Sequence, residues 1–254
     1  MRVIALTEDV LVCTSSFWQT TCTIVRGPDR DAPEAFVIDS PVLPDELEAL
    51  PGVLEHVGWP CSGLLATHGD WDHLLGRLAF PDAALGCAET TAARLTGEMG
   101  AAVRELREFD DEHYVERPAP LQLGQVQALP VPGKLEIGGG ELELHPTEGH
   151  VPEGMAIAIP WAGVLVVGDY LSPVEIPWIS EGGSRSAYVA TLGRLLPLIE
   201  AAEHVVPGHG AVLDPVRAAA ILREDLRYLE TGELPLARRS PAQKKIDAEN
   251  RGRW

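Results

Sequence analysis

The sequence predicts an α/β fold of the α+β type, with two mixed β-sheets and helices packed outside them. Two observations carry this expectation. Strand signals followed by helix signals occur twice along the 254 residues. A composition of 45% hydrophobic and 23% charged residues also supplies a sizeable core.

Residues 10–13, 21–25 and 35–38 are rich in β-formers and are separated by Gly, Pro and Asp, which marks three strands. Residues 44–57 read as a helix, with Leu47, Leu50 and Leu54 at three- and four-residue spacing. A short apolar strand at 63–66 follows, then a strand at 84–87 and a helix from 89 to about 108. Past the prolines near 117–120, a hairpin is expected across 133–144, turning at Gly138-Gly139-Gly140. Strands at 155–159 and 163–167 precede a helix at 187–202, whose Leu192, Leu195, Leu196 and Ile199 form one apolar stripe. A strand at 204–206 and a helix at 215–229 complete the body. Residues 1–230 are thus one domain. Residues 231–254 are a basic tail, six positive charges against three negative, expected to be solvated or to dock a partner.

The formal net charge of −18 repels polyanions, so nucleic acid is not an expected partner. No run approaches the roughly 18 apolar residues of a spanning helix. The acidic Glu8 and Asp9 come too early for a secretory signal, so a cytoplasmic protein without a membrane partner is expected. Cys13, Cys22, Cys61 and Cys87 are far apart and read as small buried hydrophobes. A homodimer is compatible with this composition.

The chemistry concentrates in Thr67-His68-Gly69-Asp70-Trp71-Asp72-His73, which holds two imidazoles and two carboxylates within six residues. Ligands on one helical face recur at i and i+4, which this spacing does not give. On a tight loop leaving a strand, alternate residues converge. His68, Asp70 and Asp72 then reach one centre while His73 turns to a second, the pattern of two adjacent metal ions. Three further strand-ending loops place a His or Asp beside Gly: Gly149-His150, Gly168-Asp169 and Pro207-Gly208-His209-Gly210. Glycine there lets the backbone turn sharply and approach closely.

Taken together, Thr-His-x-x-x-Asp-His, Gly-His, Gly-Asp and Pro-Gly-His-Gly resemble the metallo-β-lactamase superfamily over about residues 8 to 230. Separations of 82, 19 and 40 residues between His68, His150, Asp169 and His209 fit its layout. Asp39 after an early strand, and Tyr188 with the run 192–195, match its pattern too. The resemblance implies a four-layer αββα sandwich with a metal site at one sheet edge. In its dinuclear members, His68 and His150 would hold the first ion and Asp72, His73 and His209 the second, with Asp169 bridging.

One position departs: Asp70 stands where the family usually has a second histidine. As a ligand it donates oxygen, and Asp70, Asp72 and Asp169 then leave two divalent ions a net +1 instead of +2. Turned away, it would leave a single-ion or dead site. Zinc is the expected ion, and the oxygen donor admits manganese or iron. Flavodiiron proteins of this superfamily carry a carboxylate here and bind iron.

The expected reaction is attack of a metal-bound hydroxide on a small ester, lactone, thioester or amide. Asp72 or Asp169 would accept or relay the proton. Tyr170 is a candidate hydrogen-bond donor to a substrate oxygen, since lactonase members carry a tyrosine near this loop. Trp71 and Trp178 are candidate pocket walls, and Arg185 a candidate carboxylate anchor. His113 and His145 fall outside the motifs. Two alternatives stay open: an iron-dependent oxidoreductase, sulfur dioxygenase-like or diiron, and a non-catalytic metal-binding module.

Overall fold

The computed structural model describes residues 1–254. Its elements in chain order are β1 (Arg2–Ala5), β2 (Val10–Thr14), β3 (Thr21–Arg26), β4 (Ala35–Ile38), α1 (Pro44–Val57), β5 (Cys61–Leu65), α2 (Gly76–Ala79), β6 (Leu85–Ala88), α3 (Glu89–Gly97), α4 (Ala101–His113) and β7 (Val126–Leu129). The second half holds β8 (Gly133–Ile137), β9 (Gly140–Pro146), β10 (Met155–Ile159), β11 (Val164–Val166), α5 (Arg185–Ala201), β12 (His204–Val206), α6 (Pro215–Thr231) and α7 (Pro241–Arg253).

Strands β1 to β7 form one sheet in sequence order, antiparallel through β4 and parallel from β4 to β7. The second sheet runs β12-β11-β10-β9-β8, with only β11 and β12 parallel. Alternation of side chains along each strand builds three apolar layers between four layers of structure. In β2, Val10 and Val12 face the layer between the sheets, where Ile157, Val164 and Val166 meet them. Leu11 and Cys13 face the other way, onto Leu47, Leu50 and Leu54 of α1. Leu165 and Val205 pack outward against Leu192, Leu195 and Ile199 of α5. This is the αββα sandwich.

Most elements fall where the sequence puts them, including the hairpin, whose Gly138 and Gly139 both take positive φ (41° and 76°). Several do not. The helix expected from 89 to 108 is two helices, broken where Gly100 turns the chain at φ 81°. Strands β1 and β7 lie outside the expected set. Both are four-residue strands with no apolar–polar alternation matched to burial: three residues of β1 are exposed, and only Leu129 of β7 is buried. Leu196 lies off the buried stripe of α5 and is exposed. The segment expected to be a solvated tail instead carries α7, docked on the body through the buried side chains of Gln243 and Asn250. Its Arg238 is buried against Asp225 at 2.6 Å. No helix is long and apolar enough to cross a membrane.

Candidate metal centre

Four loops meet at one edge of the sandwich. The segment after β5 brings His68, Asp70, Asp72 and His73; the loop between β9 and β10 brings His150; the ends of β11 and β12 bring Asp169 and His209. In the second sheet β9, β11 and β12 all run the same way, so their C-terminal ends open on one side. Glycine permits the closest approach. A Cβ on Gly208 would overlap Asp169 Oδ1, so only glycine lets the β12 loop pass this carboxylate.

The side chains sort into two groups that share Asp169. In the first, His150 Nε2 lies 3.2 Å and His68 Nε2 3.7 Å from Asp70 Oδ2. In the second, His73 Nε2 and His209 Nε2 lie 3.6 Å and 3.5 Å from Asp72 Oδ2. Asp169 turns one oxygen to each: Oδ2 is 3.4 Å from His150 Nε2 and 3.9 Å from His68 Nε2, and Oδ1 is 3.1 Å from His73 Nε2 and 3.4 Å from His209 Nε2. Donors set about 2.1 Å from a tetrahedral ion lie about 3.4 Å from one another, so both groups fit an ion of that kind. Asp72 therefore sits with His73, not with His68 and Asp70 as alternation along the loop suggests. Residues Trp71–His73 form a 3-10 turn, which ends the alternation.

Three of the four imidazoles, those of His68, His150 and His209, are hydrogen-bonded through Nδ1. His150 Nδ1 lies 2.9 Å from the Trp178 carbonyl and His209 Nδ1 3.2 Å from the Trp18 carbonyl. A carbonyl only accepts, so these Nδ1 atoms carry a hydrogen, which leaves Nε2 as the nitrogen that can give a lone pair to an ion once it sheds its proton. His73 Nδ1 faces Asp39 Oδ2 at 3.1 Å. Thr67 Oγ1 donates its one hydrogen to Asp39 Oδ2 at 2.9 Å, so at 3.0 Å it can only accept from His68 Nδ1. Trp18 and Gln19 take positive φ (51° and 53°) to bring the Trp18 carbonyl to His209, backbone strain placed beside the site. Nε2 of His68, His73 and His150, Nδ1 of His73 and Oδ1 of Asp169 stay buried without a hydrogen-bond partner. Polar atoms left bare this way call for a cation.

The buried charges push on one another. Burial and the neighbouring His73 hold His68 down to about 3. Burial also opposes charge on His150 and His209, but Asp70 and Asp169 lift the first to about 9, and Asp169 with Glu175 lifts the second to about 10. Burial raises Asp72 despite His73 and His209. For Asp169 the same burial is outweighed by His209, His73 and His68, which hold its carboxyl well below the usual range.

The centre lies at the floor of a cavity of about 650 Å³. Trp71 both lines it and packs on Phe109, 4.8 Å between ring centroids; Trp18, at 5.7 Å from Trp71, continues that wall. Trp178 also lines it, 36% exposed and 5.4 Å from the His150 ring between centroids. Tyr170 does not reach the cavity. It is 2% exposed, packed at a tilt on Tyr188, and its hydroxyl accepts from the His150 N–H at 3.2 Å, so it cannot serve as the substrate donor the sequence suggests. Arg185 also points elsewhere, onto the Trp254 ring and the Glu230 carbonyl. His113 stacks on Phe109 and lines the cavity rim, and His145 is away from the centre.

Two residues next to the centre carry no motif. Arg94 of α3 lies 3.0 Å from Asp70 Oδ1 and 2.8 Å from Glu153 Oε1. The buried Glu153 also accepts from the Gly69 N–H at 3.1 Å and from Thr91 Oγ1. Its only signal in the sequence is an acid three residues after His150.

The sequence model of the metallo-beta-lactamase superfamily matches residues 17–228. No curated protein sequence matches the chain significantly. Among solved structures, it is similar to the DIM-1 metallo-beta-lactamase (TM-score 0.64, 18% identity, covering 91% of this chain and 98% of that one). It is similar to the metallo-beta-lactamase family protein TTHA1429 from Thermus thermophilus (TM-score 0.66, 20% identity, 89% and 82%). A third similar structure is TTHA1623 in a di-iron-bound form (TM-score 0.61, 21% identity, 82% and 96%). With the match spanning most of its length and the sandwich in place, this chain belongs to the metallo-β-lactamase superfamily.

Proposed function

We propose that this protein is a metal-dependent hydrolase of small, uncharged or cationic esters, lactones, thioesters or amides. One observation carries the reading: two groups of bare, buried donor atoms share the two oxygens of Asp169 at the floor of a cavity. His68, Asp70 and His150 would hold one divalent ion, and Asp72, His73 and His209 the other. Ions bound there acidify water and polarise a carbonyl oxygen. Asp72, which faces the cavity, would take the proton of the attacking water. Trp71 and Trp178 would flank the acyl group.

The walls argue against anionic substrates. Glu105, Glu108 and Glu112 of α4 line the cavity with Glu175, Glu181 and Glu249 against only Arg94, Lys245 and Arg253, so a phosphodiester or sulfate would meet an excess of carboxylates.

Elemental analysis of protein purified without added metal, combined with a panel of lactones, thioesters, esters and amides, tests the reading. Colourless zinc or manganese with turnover supports hydrolysis. Stoichiometric iron with visible absorbance and no hydrolysis would move the assignment to redox chemistry, which the oxygen donor Asp70 also favours. No turnover with both ions loaded would make the protein a binding module.

A further inference from the structure

We propose that Arg94 is a positioning residue that restricts Asp70 to one donor oxygen and thereby sets the metal preference of the first site. The inference rests on the reading that these side chains hold ions. A carboxylate next to a cation can bind through one oxygen or through both, and the two-oxygen mode belongs to larger shells around harder ions. Asp70 is held between two neighbours. Its Oδ2 faces His150 Nε2 at 3.2 Å and His68 Nε2 at 3.7 Å, towards the centre. Its Oδ1 is taken by Arg94 Nη1 at 3.0 Å.

Arg94 is fixed from behind. The same Nη1 lies 2.8 Å from Glu153 Oε1, and Nε lies 3.3 Å from Glu98 Oε2. Glu153 is 3% exposed and pinned by the Gly69 N–H and Thr91 Oγ1, so the guanidinium has little freedom to release Oδ1. Since Gly69 adjoins both His68 and Asp70, this bond ties the Arg94 anchor to the ligand loop itself. Held so, Asp70 offers one lone-pair donor, as an imidazole would, and preserves the low coordination number that suits zinc. Freed, it could close on the ion with both oxygens and favour manganese.

The test uses the full-length, metal-stripped protein with cobalt(II) as probe, whose visible absorbance is strong in four- or five-coordinate sites and weak in six-coordinate ones. Zinc–manganese competition is the second readout. Arg94→Met should weaken the first-site absorbance and lower the zinc-over-manganese preference about tenfold, the size usual for a lost outer partner. Arg94→Lys, which keeps a cationic donor, should stay near wild type. In an Asp70→His background, Arg94→Met should change neither readout, because the second oxygen is gone. If Arg94→Met does not fold, Glu153→Gln removes the anchor and should shift both readouts in the same direction. Spectra and preference unchanged in Arg94→Met, or shifted equally with Asp70→His, would overturn the proposal. Wild-type protein that takes up no cobalt would instead overturn the metal reading beneath it.

Discussion

The Trp178 carbonyl accepts a hydrogen bond from His150 Nδ1 at 2.9 Å, and the chain on both sides of Trp178 is held by α7. Gln243 Oε1 accepts from the Ile176 N–H at 2.7 Å, and Asn250 Oδ1 from the Ile179 N–H at 2.9 Å. Asn250 Nδ2 donates to the Pro177 carbonyl at 2.7 Å and to the Tyr228 hydroxyl at 2.9 Å. The C-terminal helix is therefore the outer support of a candidate ligand.

Asn250→Ala should show this support. It leaves the Ile179 N–H and the Pro177 carbonyl unpaired, while the Tyr228 hydroxyl still donates to Asp247, and should cost about 2–4 kcal/mol in unfolding free energy. Through the Trp178 loop it should also weaken zinc binding roughly tenfold. Chemical denaturation and zinc competition read the two effects, and normal zinc affinity in a destabilised variant would confine α7 to a structural role.

Asp169→Ala removes the only carboxylate facing both histidine pairs. It should lower occupancy of both ions and cut hydrolysis by at least about 100-fold. Elemental analysis of the variant settles the sharing: one ion fully retained alongside normal turnover would mean Asp169 serves a single site.

Tyr170→Phe removes an acceptor for the buried His150 N–H, with no contact to the cavity. The expected cost is about 1–2 kcal/mol of stability, with turnover within about threefold of wild type. Burial also pushes the phenol well above its ordinary value, so it is no proton source. A hundredfold loss of turnover at unchanged stability would return Tyr170 to the chemistry.

Without metal, stability should fall as pH rises from about 7 to 10. His150 and His209 titrate near 9 and 10 in the folded chain, above the unfolded value of about 6.5. A raised histidine contributes stability that is fully present below the unfolded value and is lost as pH climbs through the folded one. Zinc takes the place of those protons, so the loaded protein should lose this alkaline decline. Melting curves with and without chelator, taken across that range, provide the comparison.

Legibility in the sequence followed density. His68, Asp70, Asp72 and His73 sit within six residues, and His150, Asp169 and His209 each stand beside glycine in a loop after a strand, so they could be singled out, while the sorting of Asp72 with His73 and His209 came only with the family resemblance. Arg94 and Glu153 could not, because neither belongs to a motif and their meeting depends on where α3 packs. Tyr170 misled because position next to Asp169 says nothing of orientation: the chain turns at Gly168, φ 58°, and sends the ring into the α5 core. The basic charge of 231–254 masked α7, which docks through two buried amides, the single apolar Ile246 and the Arg253 bond to the Ile179 carbonyl, with no apolar stripe. The short edge strand β1 lacked the alternation that makes a strand visible.

The donor atoms are divided between the halves of the sandwich, with His68, Asp70, Asp72 and His73 following β5 and His150, Asp169 and His209 extending from the second sheet. Ions bound at such a seam would act as rivets between two plates. Their binding energy would then belong to the whole fold, and ion supply would tune how firmly the halves stay joined.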